Sequence, residues 1–371
     1  MTKTTQTTTA LSKRLLSLDV FRGLIMFLLI AEAAGFHHSI GNLAKEFNFI
    51  QPFAKQLQHH SWNGLRFWDL IQPYFMFIVG VAMPFSLRKR MARDSKQQVR
   101  AHIVKRCLLL FGFGVLLHCV YSHALVWELW NVLVQLAFTI TIAFIIMDKS
   151  AAWQIYFCVG ILLLTEILYR TYNPQDPFVQ GENFGSYMDM ILMGKINGGG
   201  WVTINFLPTA VHTIMGVLCG QLLLSNSTSS KNIKLLLVWG AILLVLGYGM
   251  DIVGVTPIIK RIATTSFTLA SGGWALLTLA LFYWWIEVKN NKNEWLSIFS
   301  VVGTNAIFIY LFAETVGVQW FRKFGLIFTQ GILSPMGVGE VIIMVINSLF
   351  VLFIFWYLTY FLNKKKIYFK I

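Results

Sequence analysis

Apolar runs of about 20 residues recur along almost the whole chain, separated by short polar or basic segments. A hydrocarbon core of roughly 30 Å needs a run of about that length when each residue rises about 1.5 Å. Lipid offers the backbone no hydrogen-bond partner, so such runs must close their own bonds as helices. The pattern predicts an all-α, polytopic membrane helix bundle of about ten transmembrane helices. They fall near Leu18–Ala34, Trp68–Leu87, Ile103–Tyr121, Leu129–Met147, Trp153–Tyr169, Leu207–Leu224, Leu235–Val253, Phe267–Ile286, Ile298–Val318 and Val341–Phe361. The alternating segments of a membrane β-barrel are not seen in the sequence.

The polar stretches between the runs divide the rest. Residues 1–13, rich in threonine, are expected to be a disordered cytoplasmic tail, and residues 14–371 a single transmembrane domain. Two connections are long. Gly35–Arg66 carries the histidine pairs His37-His38 and His59-His60, and Thr171–Asn205 carries the turn signals Asn173-Pro174 and Gly198-Gly199-Gly200. A third stretch, Gln319–Glu340, is apolar but broken by glycines and Pro335, compatible with a re-entrant or an interfacial segment.

Composition sharpens this picture. Charged residues make up 12% of the 371 and hydrophobic residues 56%, whereas a soluble domain carries roughly a quarter charged. The net charge of +14 does not form one basic stripe, so nucleic acid is not expected as a partner. Placing the N-terminus in the cytoplasm puts 20 of the 30 Lys and Arg on that side and nine on the other, with Arg22 at the start of the first span. The positive-inside rule selects this orientation, with both ends cytoplasmic and the inner membrane as location. Lys13, Arg14, the first apolar run and Ala31-Glu32-Ala33 imitate a cleaved signal peptide, but Asp19 and Arg22 interrupt the run, and the segment is expected to stay as a span. Cys107 and Cys119 lie about 18 Å apart on one helix, too far to bridge, and all four cysteines read as packing residues.

Few residues offer chemistry. No nucleotide fingerprint or zinc spacing occurs, and no metal is expected. Ionisable residues within the spans are Glu32, Asp69, His118, Glu166, His212, Asp251 and Glu314, each read alone as an interhelical hydrogen bond more readily than as a site. The segment from Gln56 to Gly64 is denser, gathering histidine, amide and aromatic groups just before Asp69. If it is helical, His59 and Asn63 lie at i and i+4 on one face. An imidazole titrating near neutrality can take a proton from an attacking amine or accept an acyl group itself. Spacing alone leaves open the alternative of an aromatic belt with ordinary polar loop residues.

The run Arg14-Leu15-Leu16-Ser17-Leu18-Asp19-Val20-Phe21-Arg22-Gly23, then His59-His60-Ser61-Trp62-Asn63-Gly64, then Asp69-Leu70-Ile71-Gln72-Pro73-Tyr74-Phe75, closely resembles the heparan-α-glucosaminide N-acetyltransferase catalytic-domain family. Later stretches, Tyr187-Met188-Asp189, Leu207-Pro208-Thr209-Ala210 and Gly303-Thr304-Asn305-Ala306, follow in the family's order. The resemblance implies a transmembrane acyltransferase that moves acetyl from cytoplasmic acetyl-CoA to the amino group of a glucosamine-type sugar on the periplasmic side. It assigns the active-site histidine to His59, with His60 as the fallback. Two positions depart from the family: its asparagine eleven residues after the first-motif arginine is Ala33 here, beside Glu32, and its arginine near the fourth span is Leu136.

Under that reading Asn63 and Asp69 act with His59, and Trp62, Glu32, Asn305 and His60 line the sugar site. Arg22, Arg88 and Arg106 are the expected partners of the CoA phosphates. Membrane lipids and a small amino sugar are the expected partners, and the reading is compatible with a homodimer. The rival class is an amino-sugar permease, in which the same polar residues bind substrate without turnover.

Overall fold

In the computed structural model, which describes residues 15–225 and 227–369, the chain is all-α. The expectation for the first 13 residues lies outside the described residues. In order the helices are α1 (Leu16–Ala33), α2 (Phe36–Glu46), α3 (Gln51–Gln56), α4 (Ile71–Met91), α5 (Lys96–Tyr121), α6 (Val132–Ile146), α7 (Ala151–Tyr172) and α8 (Phe184–Met193). They continue with α9 (Phe206–Leu224), α10 (Ser229–Ile252), α11 (Thr265–Phe282), α12 (Ser297–Thr304), α13 (Ala306–Phe312), α14 (Arg322–Leu333) and α15 (Glu340–Lys364).

Seven of these helices are long and apolar enough to cross a membrane, or eight if the bent pair Glu294–Thr304 and Ala306–Leu333 is one span. The two remaining expected spans are also helical, one interrupted by charge and the other short. α1 carries Asp19, Arg22 and Glu32, and α6 is only 15 residues long. α6 starts three residues later than expected because the Asn131 side chain accepts from the Leu133 N–H and caps it, which leaves Glu128 and Trp130 in the preceding loop. Ser95, Ser150 and Thr228 begin α5, α7 and α10 in the same way.

The expected span Ile298–Val318 is broken by 72° at Asn305. Beyond the break the chain runs through a π-helical stretch, Ala313–Phe321, into α14, so Gln319–Glu340 is mainly helix followed by a turn. Asn347 on α15 donates to the Arg322 carbonyl and ties α14 down.

α4, α9 and α11 form the interior, whereas α5, α7 and α10 present most of their length outward, with Leu108, Leu163 and Val245 exposed. Apolar residues facing out along long apolar helices suit lipid, not water. Small residues let the inner helices approach. A Cβ added to Gly80 on α4 would overlap the Thr213 carbonyl oxygen of α9, and one added to Gly216 would overlap that of Phe77.

The connections 34–70, 122–131, 173–205 and 253–264 meet at one end of the bundle. Asn63 pairs with Ile259 in an isolated antiparallel bridge, Gly64 N–H donates to the Ile258 carbonyl at 2.8 Å, and Trp62 donates to the Phe178 carbonyl. The start of α1 and the segment after α11 meet at the other end, where Glu287 accepts from Ser17.

Candidate functional site

α3 ends at Gln56, and the chain then turns back irregularly until a short 3-10 turn over Phe67–Leu70 enters α4. Asp69 sits in that turn, 1% exposed, and organises the loop before it. Its Oδ2 accepts from the backbone N–H of His60 at 3.1 Å and of Arg66 at 3.0 Å. Its Oδ1 lies 2.8 Å from His59 Nδ1, and the Arg66 guanidinium donates to the His59 carbonyl. One carboxylate and one guanidinium therefore hold the imidazole's backbone and ring together.

A third group comes from far along the chain. Lys260, in the loop between α10 and α11, places Nζ 3.1 Å from His59 Nδ1 and 3.8 Å from Asp69 Oδ1. It lies 5.3 Å above the Trp201 ring, which also stands edge-on to His59 at 5.7 Å. Burial pulls the Lys260 ammonium down to about 8, against the pull of Asp69 and Glu32. Burial, then the Lys260 cation, push the His59 imidazole below its ordinary value, although Asp69 works the other way.

His59 keeps 34% of its side chain exposed and lines a cavity of about 280 Å³. Glu32, Trp68, Gln72, His118, Trp130, Asn131, Gln135, Trp201, Lys260 and Tyr310 share the wall, which descends α1 as far as Met26. Glu32 accepts from the Trp68 indole at 3.2 Å, and the His37 ring stands edge-on to Trp68 at 4.0 Å. Beside His118, which lines the cavity, Glu128 accepts from His118 at 2.7 Å and from Lys195 at 2.6 Å. Burial opposes its ionisation, but Lys195 and His118 outweigh that and hold the carboxyl below the usual range. A relay of amides leads back from the wall: Gln72 donates to Gln135, Gln135 to Asn205 at 2.6 Å, and Asn205 to the Arg261 carbonyl at 3.2 Å.

Of the residues singled out from sequence, His59, Glu32 and His118 line one cavity, and Asp69 is buried behind its wall, bonded to His59. Others are not. The stretch holding Asn63 is not helical, so the i and i+4 pairing fails; Asn63 is exposed and pairs through its backbone with Ile259. Trp62 spends its indole on the Phe178 carbonyl and packs with Tyr169 and Val202 instead of facing the cavity. His60 points at Gly64, with Nδ1 buried, and lies outside the wall. Asn305 is also outside it, because its amide donates to the Ile367 carbonyl and accepts from Phe369 N–H at the chain's end.

The three expected phosphate partners do not line the cavity either. Arg22 lies 3.9 Å from Asp19, Arg88 is exposed at the end of α4, and Arg106 has its Nε buried without a hydrogen-bond partner among the described residues. Glu166, Asp251 and Glu314 are bonded to Arg170, Ile258 N–H and Tyr121, and His212 to Ser271 through Nε2, its Nδ1 being buried without a partner among the described residues. Lys260 and Trp201 carry no local motif in the sequence. The available signal was that Lys260 and Arg261 sit together on the side the positive-inside rule leaves poor in charge.

Residues 14–148 match a family model described as a domain of unknown function, DUF5009. Heparan-alpha-glucosaminide N-acetyltransferase of Mus musculus is 31% identical over 107 residues, and that of Homo sapiens is 30% identical over 109. Each match covers 29% of this chain and 14% of the relative, well under two thirds of the relatives' length. These matches support the relationship suggested by the sequence motifs. The family-model segment contains Glu32, His59, Asp69, His118 and Gln135, while Trp201 and Lys260 lie beyond it.

Proposed function

We propose that this chain is a membrane acyltransferase that moves acetyl from acetyl-CoA to the amino group of a glucosamine-type sugar, with His59 as the base. The observation that carries the reading is His59 itself: bound to Asp69 through Nδ1, it lines the cavity, and its Nε2 makes no hydrogen bond among the described residues. With Nδ1–H donating to Asp69, the lone pair of the neutral ring is on Nε2, where a base needs it.

Acetyl-CoA supplies an activated carbonyl joined to sulfur. The sugar amine attacks the carbonyl carbon while Nε2 takes the amine proton; the carbon–sulfur bond breaks, and the imidazolium returns the proton to the leaving thiolate. In a ping-pong route Nε2 attacks the carbonyl carbon and the carbon–sulfur bond breaks to release the thiolate; the neutral amine then displaces the imidazole from the acetyl group, and its proton passes to the thiolate. Trp201, Trp68 and Trp130 offer aromatic faces for a pyranose ring, and Glu32 offers a carboxylate to an ammonium group.

For the donor, the unpartnered Nε of Arg106 suits a phosphate oxygen, with Arg22 and Arg90 contributing positive charge near it. Met26, the deepest α1 residue of the cavity wall, is four residues from Arg22, about one helical turn. Donor phosphates at the basic cytoplasmic end and acceptor at the periplasmic end follow from the excess of Lys and Arg on the side of the N-terminus.

The test is purified full-length protein with labelled acetyl-CoA and glucosamine, comparing native protein with His59→Ala and His60→Ala. Loss of transfer by about a thousandfold in His59→Ala, with most activity kept in His60→Ala, is expected. Transfer that persists in His59→Ala ends the assignment. The 72° break at Asn305 is a feature a permease would share. Binding of acetyl-CoA separates the two readings, since a sugar permease has no use for it.

A further inference from the structure

The loop that carries Lys260 is held on several sides. Gly64 N–H and the Asn63 bridge clasp Ile258 and Ile259, the Thr264 hydroxyl donates to the Pro257 carbonyl at 2.6 Å, and Asn205 donates to the Arg261 carbonyl. Lys260 itself is 7% exposed, so its ammonium group has little freedom to leave His59 and Asp69 for solvent. A buried cation is costly unless paired, and its placement here calls for a reason.

An aspartate bound to a histidine favours the charged imidazolium. Such a pair alone raises the fraction of rings that carry a proton on Nε2, and that fraction cannot act as a base. We infer that Lys260 is a positioning residue for His59: its ammonium group, 3.1 Å from Nδ1 and 3.8 Å from Asp69 Oδ1, offsets the carboxylate so that the imidazole stays neutral with Nε2 open to the cavity. This inference rests on the reading of His59 as the base.

The proton count at Nδ1 agrees. With hydrogen on Nδ1 donating to Asp69, the ammonium acts only through its charge; with hydrogen on Nε2, Lys260 donates to the bare Nδ1. Both forms of the ring are neutral. A ring protonated on both nitrogens sets a second cation against the first. The shorter, charge-assisted contact to Asp69 favours the form with Nε2 bare. The other charged or titratable groups facing this cluster are Arg261 and His37, which add no negative charge, and Glu32, which faces Lys260 from α1. Arg66 meets His59 only at its carbonyl.

Diethyl pyrocarbonate attacks only the neutral imidazole, so its rate at His59, followed by mass spectrometry with fragment ions that separate His59 from His60, titrates the ring without donor or acceptor. Full-length protein in nanodiscs would be titrated from about pH 5 to 9. The native midpoint is expected below the ordinary value of about 6.5. Lys260→Met and Lys260→Gln should each raise it by about one unit, a tenfold gain in the protonated fraction's ratio, while Lys260→Arg holds it near native.

A native midpoint above about 6.5 overturns the inference, as does an unchanged midpoint in the neutral variants. Should neither neutral variant fold, the native and Lys260→Arg midpoints decide: both below about 6.5 support it, and either above it does not. Absence of acetyl transfer in native protein would sink the transferase reading while leaving this titration legible.

Discussion

Asp69 reaches His59 through Oδ1 at 2.8 Å while its Oδ2 takes the backbone N–H groups of His60 and Arg66, so a single carboxylate sets both the imidazole's hydrogen and the turn that carries it. Asp69→Asn is nearly isosteric. Its carbonyl oxygen can keep the two backbone donors, but its NH₂ then faces Nδ1 and forces hydrogen onto Nε2. Acetyl transfer should fall by roughly 10²–10⁴ with the protein still folded. Radiolabel transfer beside a thermal melt separates the two effects, and full activity in this variant would contradict the assigned geometry.

Glu32 accepts one hydrogen bond, from Trp68, and otherwise faces the cavity. If its charge receives the sugar's ammonium group, Glu32→Gln should raise KM for the amine about tenfold, equivalent to about 1.4 kcal/mol, and change kcat little. Steady-state kinetics with glucosamine as the varied substrate measure the split. A loss confined to kcat would move Glu32 from binding to chemistry.

His37 is buried against Trp68, and burial, then His59, bring its imidazole down to about 4 from 6.5. The unfolded chain therefore takes up a proton before the folded one does. Stability from this residue is flat above pH about 6.5 and falls as pH drops toward about 4, by up to about 3 kcal/mol. His37→Phe keeps an aromatic ring and removes the titration. Its melting temperature relative to native should rise as pH falls from about 7 to 5, read by differential scanning fluorimetry in detergent; a constant difference would mean His37 does not titrate in this way.

The α4–α9 crossing depends on Gly80 and Gly216, whose absent side chains leave room for opposing carbonyls. Gly216→Val must separate two inner helices, at a cost of about 1–3 kcal/mol or more, and lower the melting temperature by several degrees. Since α9 begins beside Asn205, which steadies the Lys260 loop, and α4 begins beside Asp69, transfer should fall as well. A surface glycine with open space around it, Gly112, gives the comparison: Gly112→Val should leave both readings near native.

The sequence by itself determined the class and the outline: helices follow from local apolar runs, because each backbone bond closes within four residues and lipid offers no other partner. His59 and Asp69 were legible for a similar reason, being only ten positions apart in a polar stretch beside a span. The rest was decided by tertiary structure. Lys260 stands 201 residues from His59 and meets it only because two loops at one end of the bundle dock through Asn63, Gly64, Ile258 and Ile259. Asn63, Trp62 and Asn305 looked equally suited in one dimension, yet the fold spends them on a backbone bridge, a loop carbonyl and the chain's end. Hydrophobic periodicity places helices, but the choice of which polar groups share a cavity rests on contacts between segments far apart in sequence.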